Sequence, residues 1–588
     1  MCGIAGIALK PGATLPEATE RALDAALAHR GPDGSGRHAA PGAVLLQRRL
    51  AIIDLATGDQ PLFEPGGAAL VANGEIYNYL ELKRDALAGV TFATASDCEP
   101  PLHLYRCEGL GFARHLRGMY AIAIHDRTGR RVVLARDPFG IKPLYLADTP
   151  RGIAFASEPA ALLDAGLVPR GLDPRKRDEL LELQFTTGAE TPFPGIRRLM
   201  PGETVAIEEG RIVARERLAA LPEGGPEEIA EGEALARLDR ALADSVSVHQ
   251  RSDVPYGLFL SGGIDSAAVL AAMRRLDTRP VLAFTASFDA PGAADERAAA
   301  RAAAAAAGAH HVEITVTEAE FWAHLPAIAA AMDDPAADYA IVPTWVLARR
   351  AREHVKVVLS GEGGDEMFGG YGRYRSAMRP WWLGGRVMRA RGICERLRIR
   401  RDLAPGWRDG MEAAAAAAAA PGRTRLMAAQ ATDMVDWLPN DLLAKLDRCL
   451  MAHGVEGRTP LLDPVVAAAA FRLPDSLKVR NGMGKWLLRA WLAEALPEAR
   501  PFARKQGFTV PIAAWIGAKS ERLSALLAAD EAVAEVVRPG AVAALLRPPL
   551  GKHAAFAAWT LLFYALWHRR HVRGLRAEGD VFETLAQR

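Results

Sequence analysis

The chain opens Met1-Cys2-Gly3-Ile4-Ala5-Gly6-Ile7, so a cysteine stands one residue from its start. Removal of Met1, which a small following side chain permits, would place a thiol nucleophile and a free α-amine on the same residue. Such an amine titrates near roughly 7.7–8.0 and can serve as base toward its own thiol at neutral pH. A second chemical centre is Ser261-Gly262-Gly263-Ile264-Asp265-Ser266, between an apolar strand ending at Leu260 and a helical pattern. Gly262 and Gly263 let the backbone approach an anion closely. The helix N-terminus offers free N–H groups and partial positive charge. Ser261 and Ser266 add hydroxyl donors, and Asp265 can hold Mg²⁺ against phosphates. The segment lacks the Gly-Lys-[Ser/Thr] ending of a Walker A loop. A third centre, Ser360-Gly361-Glu362-Gly363-Gly364-Asp365-Glu366, also follows a strand. Three acids in five residues are costly to crowd without a cation, which a bound Mg²⁺ at Asp365 and a proton-accepting task for Glu362 would explain.

These centres need two frameworks. At 588 residues the chain is too long for one core, and two large domains are expected. Residues 2–205 read as a strand-rich α+β domain. Short apolar runs at Ala43–Leu46, Ala69–Ala72, Tyr120–His125, Val132–Ala135, Ile153–Ala156 and Glu203–Ile207 are separated by Gly, Pro and Asp turns, with a helix near Pro16–Ala28. Residues 206–232 read as a linker, its Leu218–Gly232 stretch rich in Glu, Gly and Pro. From 233 to 588 helices and strands alternate: strands at Tyr256–Leu260, Val281–Ser287, His311–Ile314 and Val355–Leu359, with helices between them. That order implies a parallel, doubly wound sheet binding its ligand at the carboxyl ends of the strands. Beyond about residue 370 the pattern is mostly helical. Ala413–Ala420 is low-complexity and reads as a helix or loop without chemistry.

Composition narrows the function classes. Half the residues are hydrophobic, and the formal net charge of +2 gives no reason to expect a nucleic-acid partner. The arginines of Arg386–Arg401 read as a solvated helical face. The five cysteines, Cys2, Cys98, Cys107, Cys394 and Cys449, are scattered with no CxxC pair, which argues against a disulfide framework or zinc site and for a reducing compartment. His310-His311, at the start of a strand, is read as packing or backbone bonding rather than metal binding. No apolar run reaches the roughly 18 residues of a membrane helix. A signal peptide is incompatible with Cys2 as the mature terminus, so a cytoplasmic protein is expected.

Together these segments resemble the glutamine-hydrolysing asparagine synthetases, over nearly the whole chain. Cys2-Gly3-Ile4 is similar to the start of class II glutamine amidotransferases, and His29-Arg30-Gly31-Pro32-Asp33 to their second signature. Arg49-Leu50-Ala51-Ile52-Ile53-Asp54 resembles the segment that holds the glutamine α-carboxylate, with Arg49 as ion partner. Asn73-Gly74-Glu75-Ile76-Tyr77-Asn78 resembles the motif whose Asn side chain and Gly N–H form an oxyanion hole. Ser96-Asp97-Cys98-Glu99 resembles the site where the Asp takes the substrate ammonium. Arg136–Tyr145 is a further family stretch, read as structural. Ser261–Ser266 resembles the pyrophosphate loop of enzymes that cleave ATP between the α and β phosphates. By the same resemblance Leu260, Ala286, Ser360 and Gly361 line the adenosine pocket, and Glu362 takes part in acyl-adenylate formation and accepts ammonia's proton. Asp265 and Asp365 fit the Mg²⁺ positions, and Lys485 lies over the reacting phosphate. Gly457–Asp463 and Lys505-Gln506-Gly507-Phe508 resemble further family stretches.

The resemblance implies a four-layer αββα N-terminal-nucleophile domain, followed by an ATP-pyrophosphatase domain with a helical C-terminal part. The implied reaction uses glutamine, Mg-ATP and aspartate, with ammonia channelled from Cys2 to a β-aspartyl-AMP. The implied partners are small molecules, without nucleic acid or membrane, and a homodimer is left open. The segment from about Met378 to Trp437 matches no family motif, and Asp333-Asp334-Pro335 with Asp338-Tyr339 resembles the pattern near the acceptor only loosely. A different acceptor, such as a sugar uronate, a peptide or another small acid, is therefore a second reading. A binding or assembly protein with a dead site is a third.

Overall fold

The structure, a computed structural model, describes residues 2–290, 296–386, 392–503 and 510–587. The Lys505–Phe508 stretch and positions 387–391 of the arginine-rich segment lie outside the described residues. In chain order the strands of the N-terminal half are β1 (Cys2–Leu9), β2 (Gly34–Ala40), β3 (Ala43–Arg49), β4 (Leu62–Phe63), β5 (Ala68–Ile76), β6 (Gly118–Asp126), β7 (Arg131–Arg136), β8 (Tyr145–Thr149), β9 (Gly152–Ala156), β10 (Ile196–Arg198), β11 (Glu203–Glu208) and β12 (Arg211–Arg217). They form two antiparallel sheets, ordered β10-β8-β9-β1-β3-β2 and β12-β11-β7-β6-β5-β4.

Alternation along β1 sorts its side chains between two layers. Ile4 and Ala8 pack between the sheets with Leu45, Val71, Ala121, Leu134 and Phe155. Ala5, Ile7 and Leu9 face the other way, against Leu23, Leu162 and Leu180 of the covering helices Glu17–Ala26, Pro159–Asp164 and Pro174–Leu183. On the second sheet, Leu70, Ala72 and Ile76 of β5 pack under Leu102 and Leu104 of helix Pro100–Glu108. The result is the four-layer αββα arrangement. Cys2 shares its parity with Ile4 and therefore faces the opposite sheet.

Several strands escaped the sequence pattern, β2 and β12 among them. Strand β2, Gly-Ser-Gly-Arg-His-Ala-Ala, has little β-branched or aromatic content and forms because β3 offers it a complete ladder from Gly34↔Arg49 to Ala40↔Ala43. Strand β12 alternates exposed and half-buried residues on a sheet edge and pairs with β11, so the second sheet runs on to Arg217, past the expected end at residue 205.

The C-terminal half carries β13 (Tyr256–Phe259), β14 (Leu282–Phe288), β15 (His310–Val316), β16 (Val357–Leu359) and β17 (Glu456–Arg458). They form one parallel sheet, ordered β15-β14-β13-β16-β17. The chain runs outward from β13 on one side and returns to its other side as β16. Connections diverge at that switch point and leave a crevice at the strands' carboxyl ends. Beyond the sheet the chain is mostly helical. Helix Asp409–Ala418 contains most of the polyalanine run. Helix Lys552–His571 is tied to the 333–337 segment by Trp559, whose indole N–H donates to the Ala337 carbonyl at 2.6 Å. No described helix is long and apolar enough to cross a membrane.

The halves share apolar cores. Leu50, Ile52, Tyr77, Met119, Phe139 and Ile141 pack in one cluster with Leu258, Leu260 and Leu438. Ion pairs stitch the same interface: Arg198 grips Asp334 with Nε and Nη2, Arg117 pairs with Asp463, and Arg30 with Asp447.

Candidate active sites

The N-terminal site is built across the sandwich. Strand β1 presents Cys2, whose register partner on β3 is Arg49. Strand β5, from the opposite sheet, presents Asn73. The Cys2 backbone nitrogen donates to Asn73 Oδ1 at 3.1 Å, and Gln47 Nε2 donates to the Cys2 sulfur at 2.9 Å. Burial pushes the Cys2 thiol up from its ordinary value, while the Leu50 N–H and the Arg49 charge pull toward the thiolate. Among the described residues, the buried Asn73 amide nitrogen has no hydrogen-bond partner. Leaving a buried donor unsatisfied costs about 1–3 kcal/mol, so it marks a place where a ligand oxygen is wanted. Gly74 follows on β5, where a Cβ would lie 2.1 Å from the Met119 carbonyl oxygen, so only glycine fits.

The other expected glutamine contacts divide into two groups. Arg49 is buried at the end of β3 and held by Asp59 at 2.7 Å and by the Asp54 carbonyl at 2.6 Å, which leaves its guanidinium fixed beside Cys2. Asp97 is buried and accepts from the Ile76 N–H at 2.7 Å; burial raises its carboxyl above the ordinary range. Leu50 and Ile52 turn their side chains into the core shared with the C-terminal half, so only backbone from that segment can serve a ligand. Ala51 donates its N–H to Asp33, and the Ile52 carbonyl accepts from Asp253. Ile53 offers its carbonyl to Arg49 at 3.2 Å. Glu75 reaches Arg458 on β17 at 3.3 Å, and burial with Glu456 nearby lifts its carboxyl well up.

The second site lies at the switch point. Leu260, Ser261, Gly263, Asp265, Ser266, Ala286, Ser360, Gly361, Glu362 and Asp365 all line one cleft of about 300 Å³. Gly262 is absent from that wall; its N–H is turned to Glu296 at 3.2 Å. The turn is set by the serines: Ser266 Oγ accepts from the Ser261 N–H at 3.1 Å, and Ser261 Oγ from the Gly263 N–H at 3.1 Å. Lys485, from a distant helix start, bonds Asp265 at 2.5 Å and Asp365 at 2.6 Å. Gly370 makes that convergence possible, since a Cβ there would lie 1.9 Å from Asp365 Oδ1 and 2.0 Å from Lys485 Cε. Burial opposes the charge of Lys485, but the two aspartates raise it overall.

One wall residue, Lys445, was not read from the sequence. Lys445 projects from helix Leu443–Met451 to Glu362 at 3.4 Å and Asp338 at 3.2 Å. Burial works against its charge, and those acids restore it. Glu366 is buried and accepts from the Tyr371 hydroxyl at 2.7 Å; burial, then Asp365, push it up to about 8. The signal for Lys445 was a Lys-Leu-Asp-Arg set within an otherwise apolar helix, where charges survive only if paired. Asp333 and Asp334 do not line the cleft. They face Arg448 and Arg198 in the interface between halves, whereas Asp338 does reach the cleft through Lys445. The helix ahead of Lys445, Asp433–Leu442, is π-wound and brings Trp437 within 5.0 Å of the Tyr371 ring. Part of the unmatched 378–437 segment therefore packs beside the cleft.

Residues 237–569 match the asparagine synthase family model and residues 1–217 the glutamine amidotransferase domain model. A Mycobacterium tuberculosis protein, provisionally named as a glutamine-hydrolysing asparagine synthetase, is 37% identical over 97% of each chain. Asparagine synthetase [glutamine-hydrolyzing] 1 of Bacillus subtilis is 32% identical over 97% of this chain and 96% of its own. Asparagine synthetase B of Escherichia coli is 28% identical over 89% and 84% respectively.

Proposed function

The chain belongs to the glutamine-hydrolysing asparagine synthetase family of carbon–nitrogen ligases, and on that premise we propose that it converts aspartate, glutamine and Mg-ATP to asparagine, glutamate, AMP and pyrophosphate. The observation that carries the ATP half is the cleft at the switch point, walled by nearly every residue expected to hold the nucleotide.

At the first site the Cys2 sulfur attacks the glutamine side-chain carbonyl. The developing oxyanion is met by the unsatisfied Asn73 amide and the Gly74 N–H. The C–N bond breaks, ammonia leaves with the proton taken from the thiol by the α-amine, and water releases glutamate from the thioester. Arg49 and Asp97 hold the substrate's carboxylate and ammonium. At the second site the acceptor carboxylate oxygen attacks the α-phosphorus, the bond to pyrophosphate breaks, and an acyl-adenylate results. Ammonia then displaces AMP from the acyl carbon, and Glu362 takes the proton. Asp265 and Asp365 are hard oxygen donors brought together at Lys485 Nζ, a pairing whose chemistry fits Mg²⁺. They would hold the ion, which would supply charge neutralisation to the phosphates alongside Lys485.

The test is AMP formation with glutamine, Mg-ATP and a panel of acceptors: aspartate, uronate sugars and short acidic peptides. Aspartate is expected to give AMP, and glutamate in equal amount. AMP with another acid and none with aspartate overturns the acceptor and leaves the chemistry standing. No glutamate formation by the wild-type protein overturns the glutaminase reading itself.

A further inference from the structure

The residue that carries the thiol is anchored by an arginine from its own half, and that arginine is gripped by the other half. Arg30 is fully buried. Its Nε donates to the Cys2 carbonyl at 3.2 Å, and Nη1 to Glu158 at 2.7 Å. The guanidinium fork closes on Asp447, with Nη1–Oδ2 at 2.8 Å and Nη2–Oδ1 at 3.0 Å. Asp447 also accepts from Arg448 at 2.9 Å, and Arg448 continues to Asp333 at 2.7 Å. Asp447 lies on helix Leu443–Met451, two residues from the Lys445 that contacts Glu362 in the second site.

A bidentate guanidinium–carboxylate pair fixes direction as well as distance. Asp447 therefore sets the plane of Arg30, and with it the aim of the Nε–H at the Cys2 carbonyl. Beyond the β1–β3 pairing, the side-chain bonds to Cys2, at its nitrogen from Asn73 and its sulfur from Gln47, do not reach that carbonyl. We propose that Asp447, supplied by the C-terminal half, is a positioning residue of the glutaminase centre, acting through Arg30 on the Cys2 backbone. The first site is then complete only when the two halves are docked. The idea rests on glutamine hydrolysis at Cys2 and not on the identity of the acceptor.

Without the Asp447 carboxylate, Arg30 keeps Glu158 as its acid partner and rotates toward it. A misplacement of about 1 Å can cost 10²-fold in rate. Asp447→Asn is expected to lower the kcat of glutamine hydrolysis by about tenfold or more, with KM and the calorimetric affinity for Mg-ATP changing by less than about twofold. Asp447→Glu, which keeps the charge, is expected to recover part of the loss. Wild-type glutaminase kcat in Asp447→Asn overturns the proposal. So does a parallel loss of glutaminase activity and Mg-ATP affinity in both variants, which would make the role purely structural. A wild-type protein without glutaminase activity would instead indict the reading of Cys2.

Discussion

Glu366 puts a measurable charge on the stability of the empty protein. It is 1% exposed, accepts one hydrogen bond from Tyr371, and has Asp365 beside it. Burial and that neighbour raise its carboxyl from 4.5 to about 8. The folded state thus keeps a proton that the unfolded chain releases. The contribution of this group is full below about pH 4.5 and is lost as pH rises through about 8. Holding the proton costs about 1.4 kcal/mol per pH unit inside that window, so the wild type loses about 3 kcal/mol from this group between about pH 5.5 and 8.5. Glu366→Gln removes the titration while keeping an oxygen for the Tyr371 hydroxyl. Urea unfolding of both proteins, without ligands, at half-unit steps across that range reads the difference. The variant's advantage is expected to grow with pH by about 3 kcal/mol and level off above about pH 8. A gap that stays flat, or shrinks with rising pH, refutes the assignment of a buried, proton-retaining Glu366.

Asn73→Ala removes the unsatisfied amide donor and is expected to lower glutaminase kcat by about 10²–10³-fold, with Mg-ATP affinity unchanged by calorimetry. Gly370→Ala forces a methyl against Asp365 and Lys485, so pyrophosphate release measured with an enzyme-coupled assay is expected to fall by about 10²-fold while glutamate release from glutamine persists.

Sequence by itself determined which residues could do chemistry and the order of elements that would carry them. Cys2, Ser261–Ser266 and Glu362 stand in short motifs whose residues have a local physical reason, such as a turn that needs glycine or a helix start that offers N–H groups, whereas Asn73 was found only through the family resemblance. The parallel core of the second half was legible because β13, β14 and β16 are apolar runs set between helices. Strand β2 was not, because its residues have no strand preference and its pairing is entirely a gift of β3. Strand β12 was hidden for a related reason: an exposed edge imposes little apolar content.

Tertiary structure decided which distant groups meet. Nothing local relates Lys485 to Asp265, 220 positions away, or Asp447 to Arg30, 417 away, yet each pair is bonded. Lys445, Asp447 and Arg448 look in sequence like an awkward charge run in an apolar helix. Folding resolves it by pointing one charge at the switch-point cleft and the others at the interface with the first half. A buried charge is tolerable only where a partner waits, and the partner's address is set by packing, which couples residues too far apart in the chain for any local pattern to record.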